Sequence, residues 1–156
     1  MKAMPTLEGG LRIDAENSDD WGILRSIIAD ANGCGTDLAS RLGGLISEEA
    51  GAEDWLEYIV PDLRESFQDE LDEIGAAIES AIHHADGGPG PIWITRDDVF
   101  PWYSSLNQAR LALEEQFHFG QDETLAAGAV PERRAAFIRS RFYTAIQGLL
   151  LEHVMR

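Results

Sequence analysis

The chain has 156 residues, of which 44% are hydrophobic and 26% are charged, as in an ordinary globular domain. Its 28 acids and 12 bases give a net charge of −16, and because such a field repels phosphate backbones we expect no nucleic-acid partner. The single cysteine excludes an intrachain disulfide, and the sequence has no membrane-spanning run and no signal-peptide pattern. We therefore expect a cytoplasmic protein that does not contact a membrane.

The first helix is predicted over SDDWGILRSIIADANG, with Ser18 as its N-cap and two aspartates in the first turn, where the helix dipole favours negative charge. Trp21, Leu24 and Ile28 share its predicted buried face. Residues 1–16 are interpreted as an entry segment in which LRID alternates in the manner of a short strand.

A shorter second helix is predicted over TDLASRLGGLIS, with Thr36 as its cap. Helical spacing indicates that its inward side chains are Leu38, Leu42, Leu45 and Ile46.

The third helix has the clearest pattern, because apolar residues of PDLRESFQDELDEIGAAIESAIHH recur every three or four positions from Leu63 to Ile82. This spacing predicts an amphipathic helix of about 24 residues with its acids on the outer face. Residues 85–94 follow with three glycines and two prolines, which predict a linker, and a short strand is expected at IWIT.

The next helix is predicted to begin either at Thr95 or near Phe100. Pro101 would bend a helix that begins at Thr95, whereas it suits the first position of a helix that begins at Phe100. A last helix is predicted from Pro131, with a buried stripe made of Ala135, Ile138, Phe142, Ile146, Leu149 and Val154.

Together these elements predict a mainly α fold, a compact bundle of about five helices in a single domain over residues 1–156. A domain of this size buries roughly 70% of its unfolded surface and needs neither a disulfide nor a metal to hold its core. The two strand-like pieces are expected to form at most a two-stranded β-ribbon.

Charge is unevenly distributed along the chain. Residues 48–86 contain thirteen acids and one base, while residues 131–156 contain five arginines and two glutamates. One interpretation is that two solvated helix faces attract each other within the fold, so that Arg133, Arg134, Arg139 and Arg141 meet acids of the third helix. The alternative is an acidic surface that docks a basic partner.

The candidate binding residues are concentrated in PWYSSLNQARLALEEQF, which brings Trp102, Tyr103, Asn107 and Arg110 into three helical turns. Asn107 and Arg110 are three positions apart and therefore neighbours on the helix surface. One interpretation is a structural polar clamp in which Arg110 bonds to Asn107 and to an internal carboxylate, with Glu114 in reach one turn on. The alternative is a pocket for a small anion centred on Arg110.

Catalytic chemistry has little support. A di-metal site in a helical bundle needs two Glu-x-x-His pairs, and Glu115 with His118 supplies only one. Cys34 lies far in sequence from every histidine that might serve as its base. The chain also lacks a nucleophile elbow, a Walker loop and a G-x-G-x-x-G motif. We therefore expect no catalytic residue, no bound metal and no cofactor.

The segment WYSSLNQARLAL resembles the motif W-x-x-x-L-N-x-x-R-L-x-L of a small bacterial family of mainly helical proteins whose function is unknown. The positions that match are Trp102, Leu106, Asn107, Arg110, Leu111 and Leu113. The chain departs from the family pattern at Pro101, in the GGPGP linker and in the connector HFGQDETLAAGAVPE. Because the family has no established activity, the resemblance implies a helical fold and an intracellular setting, and no mechanism.

No specific reaction follows from the sequence. Our leading hypothesis is a non-enzymatic module for protein interaction or regulation, which acts on a protein partner or by self-association, because the chain lacks a catalytic set and is asymmetric in charge. The alternative is a binder of a small anionic ligand, or an enzyme, that uses a pocket around Arg110.

Overall fold

The computed structural model describes residues 1–33, 38–45, 51–120 and 128–155. Its elements run as β1 (Lys2–Pro5), β2 (Leu11–Ala15), α1 (Ser18–Asn32), α2 (Leu38–Leu45), α3 (Ala52–Asp54), a π-helix (Trp55–Ile59), α4 (Val60–His84), β3 (Gly90–Ile94), a 3₁₀ turn (Arg96–Asp98), α5 (Val99–Phe117) and α6 (Pro131–His153). The expected mainly α fold is confirmed, with five helices of eight or more residues in the described ranges. None of these helices carries an apolar stretch long enough to cross a bilayer.

The strands form a three-stranded antiparallel sheet in the order β1-β2-β3. The expected pairing of the two strand-like pieces is confirmed, with Leu11 opposite Ile94 and Ile13 opposite Ile92. These four side chains lie on the buried face of the sheet, against the helices. A two-stranded ribbon was therefore an underestimate, because β1 adds to the other side of β2. Three of its four residues are exposed, so β1 leaves no alternating apolar pattern in the sequence.

Helix α5 lies at the centre of the helical layer and contacts α1, α4 and α6. It buries Val99, Trp102, Ser105, Leu106, Gln108, Ala109, Ala112 and Leu113. Trp102 and the Trp21 side chain of α1 are the two bulkiest fully buried residues. The indole Nε1 of Trp21 also donates to the carbonyl oxygen of Gly88 at 2.7 Å, which fastens the linker before β3 to α1.

The N-cap of α1 is Asn17, not Ser18 as predicted. The Asn17 Oδ1 atom accepts a hydrogen bond from the backbone N–H of Asp20 at 3.0 Å, and Ser18 is the first helical residue. Asparagine and serine cap helices equally well, so the composition of this segment does not distinguish the two positions.

The inward face of α2 also differs from the prediction. Ala39 and Gly43 are buried, whereas the predicted inward residue Leu45 is 80% exposed. The small residues let α2 approach α4 closely, which leaves the last leucine of this short helix in solvent. Cys34, Thr36 and Ile46 lie outside the described residues.

The buried face of α6 is rotated from the predicted stripe. Ile146 and Val154 are buried as predicted, but Ala135 is exposed and Ile138 is 58% exposed. Their places in the core are taken by Ala136, Tyr143, Gln147 and Leu150. Helix α6 has two apolar faces. The face that contains Tyr143 is the buried one, because the hydroxyl group of Tyr143 finds polar partners on α1.

Helix α5 begins at Val99, between the two predicted start points. Pro101 is its third residue and lies in the first turn, where a backbone N–H has no intrahelical acceptor in any case. Thr95 and Asp98 bond to each other, with 2.7 Å between Oγ1 and Oδ2, and do not cap the backbone.

We expect Gly10→Ala to destabilise the protein by about 2 kcal/mol or more, because a Cβ atom there would lie 2.4 Å from the carbonyl oxygen of Ile94, in the adjoining backbone. The control is Gly148→Ala in α6, where nothing lies within 4 Å of the new methyl group and the helix propensity of alanine should add about 0.5–1 kcal/mol. Urea unfolding measures both changes, and a Gly10→Ala variant as stable as the wild type would contradict the close approach.

Candidate functional site

A groove of about 350 Å³ opens between the C-terminal half of α5 and the middle of α6. We call it the α5–α6 groove. Its polar walls carry two guanidinium groups and two hydroxyl groups, and two aromatic rings form part of its apolar wall. These side chains belong to Arg110, Arg141, Ser140, Thr144, Phe119 and Phe137.

Of the four candidate binding residues, only Arg110 lines the α5–α6 groove. Trp102 is 1% exposed and belongs to the core. Tyr103 is half-buried, and its carbonyl oxygen accepts a hydrogen bond from Gln147 Nε2 at 3.4 Å. Asn107 lies behind Arg110 and accepts from Arg110 Nη2 through Oδ1 at 3.2 Å. The cluster in the sequence is therefore divided between the core and one wall of the groove.

Arg110 lacks the internal carboxylate that a complete polar clamp requires. Its Nε atom is buried and makes no hydrogen bond, and the described residues form no ion pair with its guanidinium group. Glu114, one turn along α5, instead accepts from the backbone N–H of Gly120 at 2.9 Å. Arg110 therefore bonds to the Asn107 amide, as the clamp requires, but no carboxylate of the described residues pairs with it.

The prediction that the arginines of α6 pair with acids of the third helix, α4, is wrong for the described residues. Helix α6 packs on α5, and Arg139 pairs with Asp30 of α1, while Arg134 bonds to the carbonyl oxygen of Ala129, just before α6. Arg133 donates to the carbonyl oxygen of Phe117 at 2.5 Å, and its guanidinium carbon lies 4.9 Å from the ring centroid of Phe119. Arg141 lines the groove, is exposed, and forms no ion pair with a described residue. The groove therefore holds two guanidinium groups against one carboxylate, that of Glu114, and neither arginine forms an ion pair with a described residue.

A partly buried polar cluster, which the sequence does not predict, joins α6 to α1. The Nε and Nη2 atoms of Arg139 donate to the two carboxylate oxygens of Asp30 at 2.8 and 3.1 Å. The Tyr143 hydroxyl group donates to Asp30 Oδ2 at 2.5 Å, and Ser26 Oγ lies 2.6 Å from the same hydroxyl oxygen. Asp30 and Tyr143 are 113 positions apart, so no local pattern in the sequence could have connected them.

The protonation states of this cluster indicate a structural role. Burial raises the pKa of Tyr143 far above its ordinary value, and the hydrogen bond to Asp30 raises it further, because a phenolate there would face a carboxylate. The hydrogen bond to Asp30 also raises the pKa of Arg139. The raised pKa values keep Arg139 and Tyr143 protonated near neutral pH, so neither group is poised to release a proton there.

Metal ligation has no assembled site in the described ranges, where no three His, Cys, Asp or Glu side chains converge to hold an ion. In the single Glu-x-x-His pair, the carboxylate of Glu115 forms an ion pair with Arg41, with 3.2 Å between Oε2 and Nη2. His118 follows the last turn of α5 with a left-handed backbone, at a φ of 52°.

The fold and the groove define a mainly helical protein whose candidate site is a cationic groove. A family model described as "Domain of unknown function (DUF2017)" matches residues 37–154, and the chain belongs to this family. The match includes α2 to α6 and β3, and therefore both walls of the α5–α6 groove, and it confirms the expected membership of a family of unknown function. No curated protein and no solved structure gives a match to the chain.

Tyr143→Phe is expected to lower the free energy of unfolding by about 2 kcal/mol, because the partly buried carboxylate of Asp30 loses one hydrogen bond while its bonds to Arg139 remain. Tyr58→Phe is the matched control, since Tyr58 is 61% exposed and the change should stay within about 0.5 kcal/mol. Urea unfolding at pH 7 compares them, and equal effects would show that the cluster adds no stability.

The contribution of Tyr143 should decline in alkaline solution. Because its pKa is raised in the folded state, the contribution is complete below the unfolded pKa of about 10, and it falls at higher pH as the unfolded chain releases a proton that the folded chain retains. The stability difference between wild type and Tyr143→Phe should therefore shrink by about 1 kcal/mol per pH unit above pH 10. Urea unfolding between pH 8 and 11.5 measures this trend, and a difference that is independent of pH would refute it.

Proposed function

We propose that this protein is a non-enzymatic binding module, and that its α5–α6 groove takes a small ligand bearing a carboxylate or phosphate group. The observation that carries the proposal is the Arg110 guanidinium group, which lines the groove, has a buried Nε atom without an acceptor and lacks a carboxylate partner in the described ranges. An anion in the groove would give the Arg110 guanidinium group the charged acceptor that the described residues do not supply.

Arg141 on the opposite wall supports the same proposal. It comes from α6 while Arg110 comes from α5, so an oxyanion between them would accept hydrogen bonds from both helices. The chain has a net charge of −16, so its surface field is mostly negative. The α5–α6 groove is a local exception, because it contains two arginines that form no ion pair with a described residue.

The size and the apolar wall of the groove narrow the ligand class. A volume of about 350 Å³ lies near the lower end of the range for small-molecule sites. Phe119 and Phe137 meet edge to face, with 5.4 Å between ring centroids, and provide an apolar surface beside the two guanidinium groups. A ligand with an apolar or aromatic body and one anionic end suits this arrangement better than a bare inorganic ion.

The non-enzymatic part of the proposal draws on the chemistry of the groove wall. Its described lining contains no histidine and no cysteine, and the Thr144 hydroxyl group donates to the carbonyl oxygen of Ser140 at 3.0 Å. A hydroxyl nucleophile needs an adjacent base, and the only acid on this wall, Glu114, accepts from the backbone.

The cellular location, the lack of a nucleic-acid partner and the single-domain organisation are proposed from composition and packing. We infer a cytoplasmic protein, because it has one cysteine, and we infer no nucleic-acid partner, because its net charge is −16. A single core cluster to which β2, α1, α4, β3, α5 and α6 all contribute supports a single domain.

Isothermal titration with benzoate and with phenyl phosphate tests the proposed site, and the comparison separates a carboxylate ligand from a phosphate ligand. Arg110→Gln and Arg141→Gln should each weaken binding of the preferred probe about tenfold or more, equivalent to about 1.4 kcal/mol. Arg134→Gln is the matched control, because it removes the same charge from α6 at a side chain that bonds to the carbonyl oxygen of Ala129 and does not line the groove.

The control should bind the probe within about twofold of wild type. If Arg134→Gln and Arg141→Gln weaken binding equally, the effect is one of overall charge and the site is wrong. Failure of wild type to bind either probe at millimolar concentration would overturn the proposal.

A further inference from the structure

A second groove runs between the C-terminal half of α4 and strand β3, beside the core face of α4. It has a volume of about 530 Å³. Ala77, Ala81 and Ala85 line its helical wall at intervals of four residues, and residues 89–93 line its other wall. We call it the α4–β3 groove.

The strand wall of this groove is a free sheet edge. Strand β3 pairs with β2, and no described strand pairs with its other side. Pro91 lies opposite Asp14 and has no backbone N–H, so this pair cannot exchange two hydrogen bonds. By alternation, the backbone groups of Pro91 and Trp93 point away from β2 and towards the groove. The free edge therefore offers one N–H donor, that of Trp93, and two carbonyl acceptors.

The helix wall continues into a row of acids. Glu73 precedes Ala77 by four residues and Glu70 precedes it by seven, so both lie on the same face of α4 as the groove. They line a second cavity of about 390 Å³ together with Asp62, Glu65 and Asp69. No described residue forms an ion pair with these five acids.

Glu70 indicates that this acidic row lacks a cationic partner. Its Oε2 atom is buried and has no hydrogen-bond partner, and its Oε1 atom has only a long contact of 3.5 Å with Ser66 Oγ. A lysine ammonium group or an arginine guanidinium group that enters the cavity would give the Glu70 carboxylate the charged donor that the described residues do not supply.

The free edge and the acidic row are in line. Gly90 lies against Ala85, because a Cβ atom added to Gly90 would be 2.7 Å from the Cβ atom of Ala85. Strand β3 therefore starts beside the end of α4, and Trp93 lies nearer the middle of α4. Glu70 lies about 10 Å from Ala77 along the helix, a distance that an extended chain covers in about three residues.

We propose that the α4–β3 groove binds an extended basic segment of a partner protein, which adds to β3 as a fourth strand. Its backbone bonds to Pro91 and Trp93, its small apolar side chains face the alanines of α4, and its lysine or arginine side chains reach the acidic row past the Trp93 end of the groove. Unpaired strand edges beside a helix are a recurring way to bind extended peptides, with backbone bonds giving affinity and side-chain pockets giving specificity.

Charge decides against a second copy of this chain as the occupant. Two copies paired through β3 would bring two acidic rows together in molecules that each carry a net charge of −16. A basic peptide is attracted by the same field. This site shares no wall with the α5–α6 groove, so it stands or fails independently of the proposed anion site.

The test uses a fluorescein-labelled peptide of three lysines followed by alternating valine and threonine, and a matched peptide with glutamate in place of lysine. Fluorescence anisotropy should show binding of the lysine peptide with micromolar affinity, weakened about tenfold or more between 50 mM and 500 mM salt. The glutamate peptide should not bind. Failure of the lysine peptide to bind at millimolar concentration would overturn the proposal.

Two pairs of variants separate backbone pairing from charge. Trp93→Pro removes the only N–H donor on the free edge and should weaken binding at least tenfold, whereas Trp93→Val keeps the donor and should stay within about threefold. Glu73→Gln should weaken binding severalfold, whereas its neighbour Asp72→Asn, on the opposite face of α4 and bonded to Gln68 at 2.8 Å, should have no effect.

Hydrogen exchange on the wild-type protein keeps the test valid if Trp93→Pro fails to fold. The Trp93 amide should exchange quickly in the free protein and at least tenfold more slowly with the lysine peptide. An amide already protected in the free protein, or unchanged by saturating peptide, would refute strand addition. Light scattering that shows a dimer dispersed by Trp93→Pro would assign the edge to a second copy of the chain instead.

Discussion

The burial of α5 between three other helices is the constraint on which the rest of the structure depends. Once Trp102, Leu106 and Leu113 are placed in the core, the helix has one direction left for its polar residues, and Arg110 lies on that side. The same burial fixes α4 and α6 on either side of it. The α5–α6 groove lies at the outer margin of the contact between α5 and α6, so Arg110 and Arg141 are positioned by helices that pack on each other.

Much of the fold could be read from the sequence, because the buried faces of α1, α4 and α5 are each the only apolar face of their helix. Prediction failed in α6, which has two apolar faces, and in α2, where small residues are buried in place of Leu45. In α6, Ile138 and Tyr143 compete for the core at spacings that are equally helical, and the choice depends on a hydrogen bond from Tyr143 to Asp30, on another helix. Strand β1 was not predicted either. Its stability comes from pairing with β2 and not from its own side chains, so its sequence carries no strand pattern.

The candidate site was predictable only in part. The sequence places Arg110 and Asn107 on one helical face, and the bond between them is present in the structure. Whether a carboxylate completes the pair depends on which residues of other helices approach Arg110, and helix spacing carries no information about that. Arg141 lies in the groove because α6 packs on α5. Charge attraction alone would instead favour a contact between α6 and the acidic helix α4. Apolar burial therefore outweighed charge attraction in placing α6, as expected when most ion pairs would be exposed.

The two prolines at the margins of the sheet have a consequence for the behaviour of the protein in concentrated solution. Pro5 ends β1 and Pro91 interrupts the outer side of β3, so each border strand lacks a donor that a growing cross-β stack would need. With the mutual repulsion of highly charged molecules, this makes the sheet a poor template for aggregation, even though it displays Met4 and Trp93 to water.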